Sequence, residues 1–165
     1  MQQNPFDCGV TLDTKLAALH QPSAYPGPPP TVEAIETHMS WVFLTPQTAY
    51  KLKKPVRYDH LDFSTLEARR FYCLEELRLN RHLAGSVYVD AVALALDTDG
   101  ALRIGGQGQV VDWLVRMHRL PAPLMLDRML ENGTATSAHL RSVAKLLADF
   151  YRGLAPVDIG PARYL

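Results

Sequence analysis

From Ser64 to Ala84 the chain keeps one uninterrupted helical period, and on both sides it is bracketed by short alternating segments joined by turn residues. This bracketing constrains the fold more than any other feature. "STLE", Ser64 to Glu67, has the form of a capping box, in which a hydroxyl and a carboxylate satisfy each other's free amides. The helix is expected to run to about Ala84, where "AG" ends it, with Leu66, Cys73, Leu77 and Ala84 on its central stripe. Before it, "MSWVFLT" and "AYKLKKPV" alternate with period two around the turn "TPQT", and Pro55 ends the second strand's pairing. After it, "VYVDAVALAL", "ALRI" and "QVVDWLVRM" read as strands separated by the turns "DTDG" and "GGQG". Consecutive hairpins imply an antiparallel sheet with one long helix on one face, an α+β fold.

The ends read differently. "TLDTKLAALH" (11–20) is a short amphipathic helix, and the five prolines of "PSAYPGPPP" (22–30) make an extended spacer with the composition of a PxxP ligand. Beyond "RLPAP" the pattern turns helical. From Ser137 to Leu154 the residues Leu140, Val143, Ala144, Leu147, Phe150, Tyr151 and Leu154 recur at three-four spacing. The organisation expected is residues 1–31 as helix and spacer, 32–117 as a sheet-and-helix lobe, and 118–165 as a connector with the first helices of a second lobe.

Seventeen basic residues balance seventeen acidic ones, which argues against nucleic acid or an anionic membrane as the main partner. Cys8 and Cys73 are too few for a disulfide framework or a zinc site, and Cys73 sits in the helical pattern as a small buried hydrophobe. The N-terminal stretch lacks a basic start followed by an apolar run, and no apolar run approaches the ~20 residues that span a bilayer, so a cytoplasmic protein is expected. The six histidines, His60 among them, show no metal-ligand spacing, and "GGQG" reads as a hairpin turn rather than a phosphate cradle because no helix follows it.

Chemistry concentrates in "AYKLKK". A lysine on a strand followed some 25 residues later by a helical glutamate is the arrangement kinases use on nucleotide phosphates. "TAYK" resembles the V-A-I-K pattern, with Ala49 and Lys51 on one face, and selects Lys51 over Lys53; Lys53 and Lys54 are then left to solubility or phosphate-edge electrostatics. Glu75 and Glu76 are the candidate partners. Glu76 is the choice, because Tyr72, Cys73, Leu79 and Leu83 border it and an inward glutamate needs a cation. The plain alternative is a pair of solvated helix charges meeting Arg70 or Arg78.

The blocks "ETHMSWVFLT", "AYKLKKPVRYDHLDFSTLEARR", "EELRLNRHL" and "VVDWLVRMHRLP" together resemble a bacterial family of aminoglycoside phosphotransferase-like proteins, over roughly residues 15–155. Longer members of that family often carry a C-terminal P-loop kinase domain. The resemblance implies a protein-kinase-like N-lobe over 32–117 that binds ATP. It also implies a hinge at "RMHRL" whose backbone meets adenine, involving Met117 and Arg119, and Thr37, His38 and Ser40 bordering the phosphates. The family's catalytic segment, similar to H-G-D-x-H-x-x-N and followed by a metal-binding aspartate, is not in this sequence. Asp127 and Asn132 in "DRMLEN" have a D-x4-N spacing, but no His-Gly precedes them and the stretch reads as helix. No catalytic residue and no Mg²⁺ ligand is therefore assigned. The expectation is the nucleotide-binding part of an ATP-dependent small-molecule phosphotransferase, the acceptor unspecified, inactive alone. The alternative is a non-catalytic nucleotide-binding or interaction module. A fragment of a longer protein is expected, with the apolar face of the last helix driving self-association.

Overall fold

Alternating side chains sort the strands of the chain onto two faces of one sheet. The computed structural model describes residues 9–155, which divide into two compact units between Arg119 and Leu120. In the first unit α1 (Leu12–Leu19) is capped by Thr11, whose hydroxyl accepts from the Thr14 amide, and a 3-10 turn follows at Pro22–Ala24. Then come β1 (Glu33–Glu36), β2 (Ser40–Leu44), β3 (Thr48–Lys53), a small hairpin of β4 (Arg57–Tyr58) and β5 (Leu61–Asp62), and α2 (Leu66–Ala84). The unit closes with β6 (Tyr88–Leu96), β7 (Leu102–Ile104) and β8 (Gln109–His118). The six-stranded sheet has the order β1-β2-β3-β8-β6-β7 and is antiparallel throughout, so the α+β expectation holds.

One face of the sheet carries Phe43, Tyr50, Leu52, Leu94, Leu102, Ile104 and Leu114, and it is covered by Leu19, Ala24 and Tyr25. The stretch expected to be only a spacer therefore begins as core. Proline fixes φ and stops a helix without keeping its neighbours out of a core. The Tyr25 ring meets Tyr50 edge-on at 5.2 Å, and its hydroxyl donates to the Leu19 carbonyl at 2.5 Å. The other face holds Val115, Trp113, Met117, Tyr88 and Ala91 under Cys73 and Leu77 of α2. Both faces are covered, not one.

Helix α2 ends at Ala84 as expected but starts one residue late. Thr65, not Ser64, is the N-cap and accepts from the Ala68 amide at 3.1 Å. The Ser64 amide is already donated to the Asp62 carboxylate at 2.8 Å, which holds Ser64 in the loop and leaves the expected box unformed. The buried stripe is Arg69, Cys73 and Leu77: Leu66 and Ala84 of the expected stripe are only half-buried, and an arginine joins it.

The "GGQG" segment is a hairpin turn between β7 and β8. Asp97 accepts the Gly108 amide at 2.9 Å and pairs with Arg103, and a Cβ on Gly108 would lie 1.9 Å from the Leu96 carbonyl oxygen. Close backbone approach, not phosphate binding, explains that glycine.

The second unit comprises a 3-10 turn (Ala122–Leu124), α3 (Leu126–Glu131) and α4 (Ser137–Gly153). Asp127 lies in the first turn of α3 and Asn132 at its C-cap, so the D-x4-N spacing is helical. Helix α4 opens with a reciprocal Thr136–His139 box, and its Leu140, Val143, Leu147 and Tyr151 are exposed. Among the described residues no helix is long and apolar enough to cross a membrane. Cys8 lies outside the described residues.

Candidate functional site

Because β3 alternates, Lys51 and Lys53 project to the α2 side while Tyr50 and Leu52 enter the opposite core. The register places Lys51 between Val42 of β2 and Val115 of β8, in the middle of the sheet. Glu76 lies on the inner side of α2, next to buried Leu77 and one turn beyond buried Cys73. Its two carboxylate oxygens are divided: Oε1 accepts from Lys51 Nζ at 2.8 Å and Oε2 from Lys53 Nζ at 2.6 Å. The choice of Glu76 over Glu75 agrees with this geometry. Glu75 forms a solvated i,i+3 fork with Arg78, the plain alternative expected for helix charges.

The two lysines differ in what they face. The Lys53 side chain is 6% exposed, its ammonium 5.0 Å from the centre of the Phe63 ring, whereas that of Lys51 is 30% exposed. Lys53 is thus an internal counter-ion, not the solvating charge expected; the carboxylate and the ring compensate its burial. Lys54, just past the end of β3, is 16% exposed, paired with Glu36 and 5.8 Å from the Trp41 ring centre, so it too is held by the fold rather than left to solvent. Two cations on one carboxylate leave a net positive charge, presented through Lys51. Burial alone would raise the Glu76 pKa, but the hydrogen bonds and charges of Lys51 and Lys53 outweigh it and hold the carboxyl below its ordinary value. Burial raises the neighbouring Tyr88 hydroxyl, and the Glu76 charge adds to that. Cys73, beneath this cluster, is pushed up to about 12 by burial.

Lys51 and Glu76 form part of the wall of an open cleft of about 530 Å³. Thr37, His38, Met39 and Ser40 line one side of it, and Val42, Tyr88 and Met117 complete it. The β1–β2 turn is tight: the Thr37 hydroxyl donates to the Ser40 carbonyl at 2.8 Å and accepts the Ser40 amide at 3.0 Å. The Tyr58 hydroxyl on the β4–β5 hairpin lies 3.0 Å from His38 Nε2. Of the residues expected at the site, Thr37, His38, Ser40, Lys51, Glu76 and Met117 meet in this cleft. Ala49 is buried opposite Met117 in the β3–β8 register, one step along the face from Lys51. Arg119 does not meet them. Its amide donates to the Gln47 carbonyl, and its guanidinium binds the Thr45 carbonyl and Glu33, so it fastens the β2–β3 turn. Its amide is spent on the Gln47 carbonyl within the fold, so that group is not free for adenine.

Two further groups escaped the sequence reading. Met39, Val42 and Tyr88 line the cleft as ordinary strand and turn residues carrying no motif. A buried ionic cluster joins Lys15, Asp112 and Arg69 at 2.9 and 2.7 Å. A lone carboxylate inside the apolar run "VVDWLV" was the signal for it.

The chain is 32% identical over 123 residues to an uncharacterized protein of Mycobacterium tuberculosis strain H37Rv, and equally to one of Mycobacterium bovis. The match covers 74% of this chain and 23% of each relative, so the chain spans less than a quarter of the length of the curated relatives it matches. No family model and no solved structure matches the chain.

Proposed function

We propose that the first unit is the nucleotide-binding lobe of an ATP-dependent small-molecule phosphotransferase of the aminoglycoside phosphotransferase-like, kinase-like type, working in the cytoplasm. One observation carries this reading: a partly exposed lysine on the third strand is held 2.8 Å from a glutamate on the next helix, at an open cleft. This is the lysine–glutamate pairing by which kinases grip the α- and β-phosphates. The surplus positive charge suits an anion, and Val42 and Met117 supply apolar surface for a base.

The residues present fit ATP at its phosphates. Glu76, its two carboxylate oxygens held by Lys51 and Lys53, is not offered as a Mg²⁺ ligand. The tight β1–β2 turn offers His38 at the cleft in place of glycines.

Isothermal titration of the 165-residue chain with ATP and with adenosine tests the proposal. ATP is expected to bind more tightly than adenosine, and Lys51→Met to weaken ATP by about tenfold or more, the worth of one charge-assisted hydrogen bond. ATP affinity unchanged in Lys51→Met would overturn the assignment. Binding without transfer is expected of this chain on either reading, so the Lys51→Met comparison carries the test.

A further inference from the structure

Helix α2 is fastened to the sheet at two ionic points. Arg69 and Glu76 are seven residues apart, which places them within about 20° of each other on the helix and about 10 Å apart along it. Glu76 holds Lys51 and Lys53 of β3, while Arg69 Nε donates to Asp112 of β8 at 2.7 Å. Between them Cys73 Sγ reaches the Trp113 carbonyl at 3.7 Å.

Asp112 can serve this role because β8 carries a bulge beside it. Leu94 pairs with Asp112 but Ala95 with Val110, so Val111 is an extra residue in the strand. The carboxylate is reached by the helices covering both faces: Arg69 from α2 takes Oδ1, and Lys15 from α1 takes Oδ2 at 2.9 Å. The side chains of Lys15, Asp112 and Arg69 are 8%, 3% and 6% exposed. Arg69 Nη1 also donates to the Phe63 and Ser64 carbonyls, fixing the loop that enters α2. Each helix thus carries a buried charge that the same carboxylate satisfies.

We infer that Arg69 and Asp112, with Lys15 bracing them from α1, are positioning residues that set the placement of Glu76 and thereby the presentation of Lys51 to an anionic ligand. The inference rests on the nucleotide reading for its ligand, though not for its geometry. It makes α1 part of the site's support, although that helix covers the opposite face of the sheet.

The test is a double-mutant cycle on the full chain, pairing Arg69→Met with Lys51→Met, read by titration with ATP and adenosine alongside thermal unfolding. Arg69→Met leaves Lys15 and Asp112 paired, so no buried charge is stranded. It is expected to weaken ATP about tenfold while adenosine stays within about twofold, and to have no further effect on ATP once Lys51 is Met. A merely structural arginine would weaken both ligands alike, or act equally in both backgrounds, and either result overturns the inference. Should Arg69→Met not fold, Arg69→Lys enters the same cycle, keeping the cation but losing the fork to the loop carbonyls. If the wild type binds neither ligand, the nucleotide reading fails separately. A crystal structure of the Arg69 variant then decides: Lys51 Nζ and Glu76 separated beyond salt-bridge distance supports the inference, and contact retained at 2.8 Å overturns it.

Discussion

Replacing Glu76 by Gln removes the one anion shared by two lysines, and the structure indicates which of them suffers. Lys51, with a side chain 30% exposed, can turn to water; Lys53, at 6%, cannot. Stranding one partner of a buried pair costs about 3–5 kcal/mol, and the amide oxygen of Gln can still accept one hydrogen bond, so about 3 kcal/mol is expected. Lys53→Met removes the stranded charge itself and leaves Glu76 with Lys51. It should cost within about 1 kcal/mol, because Met supplies apolar volume beside Phe63. The double variant Lys53→Met/Glu76→Gln should therefore be more stable than Glu76→Gln alone. Urea unfolding followed by tryptophan fluorescence reports on the first unit specifically, since both tryptophans, Trp41 and Trp113, lie in its sheet. A Glu76→Gln cost below about 1 kcal/mol, or a double variant less stable than the single, would refute the assignment of Lys53 as a buried counter-ion.

Three further outcomes follow. Glu76 titrates below the ordinary glutamate value in the folded state, so its contribution to stability is complete above that value and is lost as pH falls through the lowered one; acid unfolding should flatten over this window in Glu76→Gln. With Cys8 replaced by Ser, the Cys73 thiol, buried and raised to about 12, should react with a disulfide reagent at pH 8 only when the protein is unfolded, and prompt labelling of the native chain would contradict its burial. Gly108→Ala should cost more than about 2 kcal/mol by urea unfolding, because its Cβ meets the Leu96 carbonyl at 1.9 Å; a neutral effect would mean that the hairpin relaxes freely.

The elements legible in the sequence are those whose periodicity extends over several residues. The alternation of β2, β3, β6 and β8 and the long run of α2 dictate which side chains can be buried together. Glu76 follows from its apolar helix neighbours, of which Cys73 is buried while Leu79 and Leu83 are exposed, so the choice rests on only part of that pattern. β4 and β5, of two residues each, carry no period to read, and β1, "EAIE", exposes three of its four residues. Lys53 was misread because a lysine on a strand is ordinarily solvated, and its burial depends on Phe63 and Glu76 arriving from later in the chain. The ionic cluster was beyond reach for the same reason: Lys15 and Arg69 lie 97 and 43 residues from Asp112, and local pattern carries nothing over such separations. Tyr25 shows the limit from the other side, since a proline-rich composition describes backbone stiffness and is silent on where a ring packs.

The central claim, that the Lys51–Glu76 cleft receives nucleotide phosphates, is tested most directly by titrating the ¹⁵N-labelled chain with ATP and following its amide resonances. The account predicts saturable shifts concentrated at Thr37 to Ser40, at Lys51 and at Met117, and reduced in Lys51→Met. Shifts clustered elsewhere on the chain, or none at millimolar ATP, would contradict it.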